Sequence, residues 1–263
     1  MTRVKLQNPA LLARRVAAMV WTFPRTSGMD WSVWNQLYYW SARLVRSSST
    51  KWTVYWRLRN KHSSSKQEMK ILFLHGFFAS GQCVPAMALR RAFEGEAEVI
   101  TPDLPMHPME AIEFIRELID REKCDVLVGN SCGAFYAQML APEVGVPALL
   151  SNPHFKMTEF LKPRIGAHQY KSPRKDGKQD FIIDEQLIAE FAEMEAHQFD
   201  NCTLESKSRI WGIFGDNDTL AHFEPLFLEH YDTSFHFPGV HTPTAEEVQK
   251  YYVPLIKELL SRS

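Results

Sequence analysis

One stretch limits what this chain can fold into more than any other: Asp125-Val126-Leu127-Val128-Gly129-Asn130-Ser131-Cys132-Gly133-Ala134-Phe135-Tyr136-Ala137. Residues 125–128 form a short apolar run with two valines, the pattern of a buried strand. Residues 134–140 have the composition of a helix start. Between them lies Gly-x-Ser-x-Gly. A strand that passes directly into a helix forces the middle residue into a strained backbone, and small residues at 129 and 133 let neighbouring chain approach. The hydroxyl of Ser131 is then held out at the C-terminal edge of a sheet. The helix N-terminus beneath it offers free N–H groups and a positive dipole end, suited to a developing oxyanion. The same residues also fit a glycine-rich turn without chemistry, so the rest of the chain has to decide.

The pattern around this stretch alternates strand and helix. Residues 70–74 (Lys-Ile-Leu-Phe-Leu) read as a buried strand running into His75-Gly76-Phe77-Phe78-Ala79-Ser80-Gly81. Such a strand, ending in His-Gly and a small-residue loop, can bring a backbone N–H to the oxyanion, here that of Phe77. Residues 85–93 read as a helix, 98–101 as a strand before the turn Pro102-Asp103-Leu104-Pro105, and 108–122 as an amphipathic helix with Ile112, Ile115, Leu118 and Ile119 on one face. Residues 148–151 are a strand ending in Asn152-Pro153. The rhythm then breaks over about 154–207, a polar insertion with a helix expected at 184–197. It lies where strands end and is expected to cap the site. Its basic residues, Lys156 to Lys178, read as a solvated face in preference to a clamp for an anionic leaving group. Residues 209–214 and 233–237 are the last strands, and Thr244-Ala245-Glu246-Glu247 has the form of a capping box.

A serine alone is a poor nucleophile and needs a base and a carboxylate that orients the base. His241 follows Pro238-Gly239-Val240 after the last strand and is the expected base. The acid comes from Gly215-Asp216-Asn217-Asp218-Thr219-Leu220. Asp218 is preferred over Asp216 because it lies deeper in the loop, and Asp216 stays open. His236, inside the last strand, reads as a packed core histidine; His75 and His107 read as structural or pocket-lining. The N–H groups of Phe77 and Cys132 are the expected oxyanion donors, and His75, Gly76, Phe78 and Asn130 the expected substrate-binding residues. No HExxH, GxGxxG or Walker loop occurs, so metal, dinucleotide and nucleotide chemistry have no support.

Taken together, Ile71-Leu72-Phe73-Leu74-His75-Gly76-Phe77, Pro102-Asp103-Leu104-Pro105, Val128-Gly129-Asn130-Ser131-Cys132-Gly133, Ser151-Asn152-Pro153, Gly215-Asp216-Asn217-Asp218 and Gly239-Val240-His241 resemble the α/β-hydrolase superfamily. Within it, residues 69–263 resemble the small YqiA/YcfP-type esterases. The resemblance implies an α/β-hydrolase three-layer sandwich, a mostly parallel sheet with helices on both faces and a short cap insertion. It also implies a carboxylic-ester or thioester hydrolase without cofactor, acting on a small-molecule substrate. Cys132 stands where Leu or Met is more usual, and two Asp stand where Gly-Asp-Glu is more usual. Because folds host binding modules as well as enzymes, a non-catalytic binding module is the alternative.

Residues 1–68 lie outside the resemblance. They hold 12 Lys/Arg against only Asp30 and Glu68, a balance of +10 in a chain whose net charge is −1, and six of its seven Trp. Residues 10–21 and 31–45 read as helices, 51–59 as a period-two strand with Trp52, Val54, Trp56 and Leu58 on one side, and 63–66 as a linker. This basic, Trp-rich extension is expected to cover the sheet as edge elements; contact with an anionic membrane surface is the lesser alternative, and no nucleic-acid partner is expected. Translation starting at Met69 is a third reading. Cys83, Cys124, Cys132 and Cys202 show no disulfide or zinc spacing and suit a reducing cytoplasm. Residues 16–21 behind Arg14-Arg15 faintly resemble a secretory leader but are short and lack a convincing cleavage site, so secretion is the lesser expectation; no apolar run approaches the roughly 18 residues of a membrane span.

Overall fold

The computed structural model describes residues 69–262; the expected helices, strand and surface contacts of the extension lie outside the described residues. Six strands form one sheet: β1 (Met69–Leu74), β2 (Ala97–Ile100), β3 (Val126–Asn130), β4 (Ala148–Ser151), β7 (Ile210–Gly215) and β8 (Thr233–Phe237). All neighbours run parallel in the order β2-β1-β3-β4-β7-β8.

Strand periodicity decides the layers. Successive side chains point to opposite faces. Leu72 and Leu74 of β1 and Leu127 of β3 therefore join one core, with α2 (Pro108–Glu122) and α3 (Cys132–Val144). Ile71, Phe73, Val126 and Val128 join the other, with α1 (Val84–Ala92) and the C-terminal α8 (Val253–Ser261). Both faces are thus covered, as a parallel sheet requires, and each large side chain so buried stabilises by about 1.5–3 kcal/mol. The three-layer α/β-hydrolase sandwich follows. Local signals set the helix ends: α2 begins with Pro108 in its first turn and ends at Lys123 in the left-handed region, φ 56°. The expected capping box is present, Thr244 and Glu247 each bonding the other's backbone N–H.

Chain direction across the sheet reverses between β1 and β3. The loops leaving their C-terminal ends therefore part there and leave a crevice, which is where open α/β sheets bind ligands. Those loops are residues 75–80 and 130–132.

The segment between β4 and β7 holds α4 (Met157–Leu161), an antiparallel hairpin of β5 (Gly166–Gln169) and β6 (Asp180–Ile183), α5 (Glu185–His197) and α6 (Leu204–Arg209). It is stitched to the loop after β1: Lys171 N–H donates to the Phe78 carbonyl at 2.8 Å and Ser80 Oγ to the Pro173 carbonyl at 2.7 Å. The Phe77 ring packs edge-on to Phe181 and tilted against Phe191. Its basic residues divide. Arg164 and Arg174 lie over the rings of Phe160 and Tyr170, while Lys156, Lys162 and Lys178 are exposed. The last helix of the sandwich before β8 is α7 (Glu224–His230).

Candidate active site

Ser131 sits between β3 and α3 with φ 57° and ψ −116°, a conformation rare for any residue with a side chain. Its flanking glycines are required by close approach. A Cβ on Gly129 would strike the Gly133 carbonyl, and one on Gly133 would strike the Leu74 carbonyl. Gly76 lies directly above: its hypothetical Cβ would be 3.5 Å from the Ser131 Cβ. The loop after β1 and the β3–α3 turn therefore share one small space. The N–H groups of Phe77 and Cys132 border it, and neither has a hydrogen-bond partner among the described residues.

Asp218 and His241, separated by 23 residues, meet at 2.8 Å, His241 Nδ1 donating to Asp218 Oδ2. Asp218 is 5% exposed. Its Oδ1 accepts the N–H groups of Leu220 at 2.7 Å and Ala221 at 3.3 Å. Burial by itself would raise this carboxyl, but the hydrogen bonds from His241 and those two N–H groups hold it below the usual carboxylate value. The loops carrying the pair are zipped together: Asp216 N–H donates to the Phe237 carbonyl and Asn217 N–H to the Gly239 carbonyl, both at 2.9 Å. Asp216 faces away. Its Oδ1 lies 3.1 Å from His236 Nδ1, whose ring reaches Glu224 through Nε2 at 2.9 Å. His236 is therefore not the packed core histidine expected from the sequence. It is exposed, because β8 is the edge strand and α7 reaches over it there only through Glu224.

The Ser131 hydroxyl makes no hydrogen bond among the described residues, and His241 Nε2 makes none either. In free enzymes such bonds are often loose and tighten on the substrate. What ties the two residues into one frame is the end of β4. Ser131 N–H donates to the Ser151 carbonyl at 2.9 Å, and His154 N–H to the Ser131 carbonyl at 3.3 Å. Between them, Asn152 Nδ2 donates to the carbonyls of Val240 at 3.1 Å and His241 at 2.9 Å, while its Oδ1 accepts Gly215 N–H at 2.8 Å. Asn152 itself has φ 41°, tolerable for asparagine. Sequence reasoning missed this bridge, although an Asn-Pro at a strand end is a visible turn signal.

The expected substrate-binding residues divide in the same way. A narrow cleft is lined by His75, Gly76, Phe77, Leu104, Met106, Cys132, Tyr136 and Tyr170, among others. His75 presents only ring carbon there, because Nδ1 donates to the Gly76 carbonyl at 2.8 Å and Nε2 accepts Leu104 N–H at 3.0 Å. Asn130 is buried and spends its Oδ1 on Ser151 Oγ, which also meets Tyr252 OH. Phe78 packs on Phe160, His168 and Phe181. His107 bonds Glu190 of α5 at 3.2 Å. Asp103, also overlooked, accepts Gly81 N–H and Lys175 N–H and so pins the loop after β1 to the insertion. Burial pushes the Cys132 thiol up to about 12, so it is no rival nucleophile.

Burial also pushes His75 and His154 down from 6.5 to about 4. Both stay neutral in the fold over a range where the unfolded chain takes up protons. Stability is therefore full above about pH 6.5 and falls as the pH drops toward about 4, by roughly 3 kcal/mol per ring at most. Urea midpoints should decline steadily across that window; a flat profile would contradict neutral burial.

Residues 70–229 match the sequence model of the Uncharacterised protein family (UPF0227). Among solved structures, Est1E from Butyrivibrio proteoclasticus superposes with a TM-score of 0.57 at 14% identity, over 74% of this chain and 89% of its own. A putative hydrolase from Agrobacterium vitis S4 gives 0.54 at 15% identity, covering 74% and 88%. The esterase domain of a Rhodothermus marinus protein gives 0.54 at 14%, covering 73% and 87%. At such identities the likeness shows the α/β-hydrolase fold.

Proposed function

The chain belongs to the uncharacterised protein family UPF0227, and on that premise we propose that it is a serine hydrolase of carboxylic esters or thioesters. Ser131 Oγ attacks the carbonyl carbon while His241 Nε2 takes its proton. Asp218 holds the other ring nitrogen and stabilises the imidazolium. The carbonyl oxygen, now an oxyanion, is met by the N–H groups of Phe77 and Cys132. Collapse returns the proton from His241 to the departing alcohol or thiol and leaves an acyl-Ser131 ester. Water, deprotonated by His241, repeats the sequence and releases the acid. No cofactor enters these steps.

The observation that carries this reading is the Ser131 backbone at φ 57°, ψ −116°. Holding a residue there costs of order 1–3 kcal/mol, and such strain persists where surrounding structure enforces it, commonly at functional sites. A binding module has no need of a lone hydroxyl raised in this way. An acyl-enzyme has a kinetic signature. Mixing with p-nitrophenyl acetate should release a burst of nitrophenol stoichiometric with enzyme, or turn over steadily if deacylation is fast. Neither burst nor turnover across short and medium acyl chains would leave the binding-module reading standing.

A further inference from the structure

Tyr252 reaches from the helix after His241 to the end of β4. It is 2% exposed, and its ring packs edge-on against Phe237, with centroids 5.5 Å apart. Its OH meets Ser151 Oγ at 2.7 Å, and Ser151 Oγ donates to Asn130 Oδ1 at 2.9 Å. A serine hydroxyl has one proton, here already given to Asn130, so Tyr252 is the donor to Ser151. Burial holds the phenol above its usual range and keeps that proton in place. A one-way relay results, from Tyr252 O–H to Ser151 O–H to the Asn130 amide oxygen, and all three residues are buried.

Packing does not call for this relay. Phe at 252 and Ala at 151 would fill the same core without buried polar groups that each need a partner. Helix geometry does not call for it either. The helix widens over Val248–Tyr252, where the Val253 N–H reaches back five residues to the Val248 carbonyl. Such wide turns are rare and occur often at functional sites. Pro254, which has no N–H to give, accounts for the loosening but not for a hydroxyl at 252.

The relay ends at the Ser131 turn. Ser151 holds that turn twice: its backbone carbonyl accepts Ser131 N–H at 2.9 Å, and its hydroxyl holds the side chain of the preceding residue. With Oδ1 so held, Asn130 turns Nδ2 toward Gly76, 3.7 Å from where a Cβ on that glycine would lie, and the Ser131 Cβ is 3.5 Å from the same point. We propose that Tyr252 is a positioning residue: through Ser151 it fixes the Asn130 amide with its N–H end, not its oxygen, toward the space where the oxyanion forms. This rests on the Ser131 hydrolase reading. Without the Tyr252 proton, Ser151 Oγ is free to accept from Nδ2, and the amide turns over. Its oxygen then faces the developing oxyanion and repels it. The repulsion arises only as charge develops, so it acts on the transition state and leaves substrate binding alone.

The test uses the full chain and p-nitrophenyl acetate. Tyr252→Phe should lower kcat and kcat/KM together about tenfold with KM unmoved, the worth of one such hydrogen bond spent in the transition state. A tyrosine needed only for packing would lower the melting temperature and leave kcat as it was; that result overturns the proposal. Ser151→Ala keeps the backbone carbonyl on Ser131 N–H and reads the same relay from its middle, so it replaces Tyr252→Phe if that variant does not fold. The two substitutions combined should cost no more than Ser151→Ala alone, because the relay is already broken; losses that multiply overturn the proposal. Labelling of wild-type Ser131 by a fluorophosphonate separates the two levels. No labelling removes the hydrolase reading and this inference with it; labelling with an unmoved kcat removes the inference alone.

Discussion

Ser131→Ala is expected to lower kcat on simple acetyl esters by roughly 10⁶-fold, the loss typical when a triad nucleophile is removed. Nothing else in the reaction can replace it. The neighbouring Cys132 is enclosed and its thiol is held protonated. The N–H groups of Phe77 and Cys132, proposed above as oxyanion donors, survive the substitution and should leave a residual rate above water. The variant should fold as well as wild type. The Ser131 hydroxyl has no hydrogen bond among the described residues to lose, and alanine suffers the same backbone strain at φ 57°. Steady-state kinetics with a melting curve checks both halves. A variant that keeps a tenth of wild-type activity, or that loses activity only by unfolding, contradicts the assignment.

The second large effect separates two aspartates two residues apart. Asp218→Asn should cost about 10⁴ in kcat. The reason is tautomeric. The amide that replaces the carboxylate can keep its oxygen on the N–H groups of Leu220 and Ala221, which then turns its NH₂ toward His241 Nδ1. Nδ1 must then accept, the ring proton moves to Nε2, and the base proposed for Ser131 is gone. Asp216→Asn removes only an exposed ion pair with His236, worth up to about 1 kcal/mol and thus less than about tenfold in any rate it touches. Kinetics on the two variants in parallel decides it; the reverse ranking would move the acid to Asp216.

Much of this architecture is legible because it is local. Strand Leu72-Phe73-Leu74 alternates between two cores, Gly129 and Gly133 admit backbone at contact distance, and Thr244 with Glu247 closes a capping box over three residues. The deeper position of Asp218 follows from loop length after β7, and its carboxylate does face His241. What escapes the sequence is set by distant neighbours. His236 has the pattern of a core residue, but only the sheet order shows that β8 is an edge. The hairpin of β5 and β6 is hidden because Gly166-Ala167-His168-Gln169 carries no strand signature, and pairing alone makes it a strand. His75 Nε2 and Asn130 Oδ1 are taken by Leu104 and Ser151, partners 29 and 21 residues away. Asn152 and His154 gain their meaning only when the end of β4 is brought between Ser131 and His241.

The most direct measurement is covalent labelling of the full chain by a fluorophosphonate probe, read by intact mass and peptide mapping. A serine made nucleophilic by His241 should take up one probe per chain on Ser131. The adduct should be absent in Ser131→Ala and form far more slowly in His241→Ala. A wild-type chain that stays unlabelled, or a Ser131→Ala variant labelled as fast as wild type, would contradict the account.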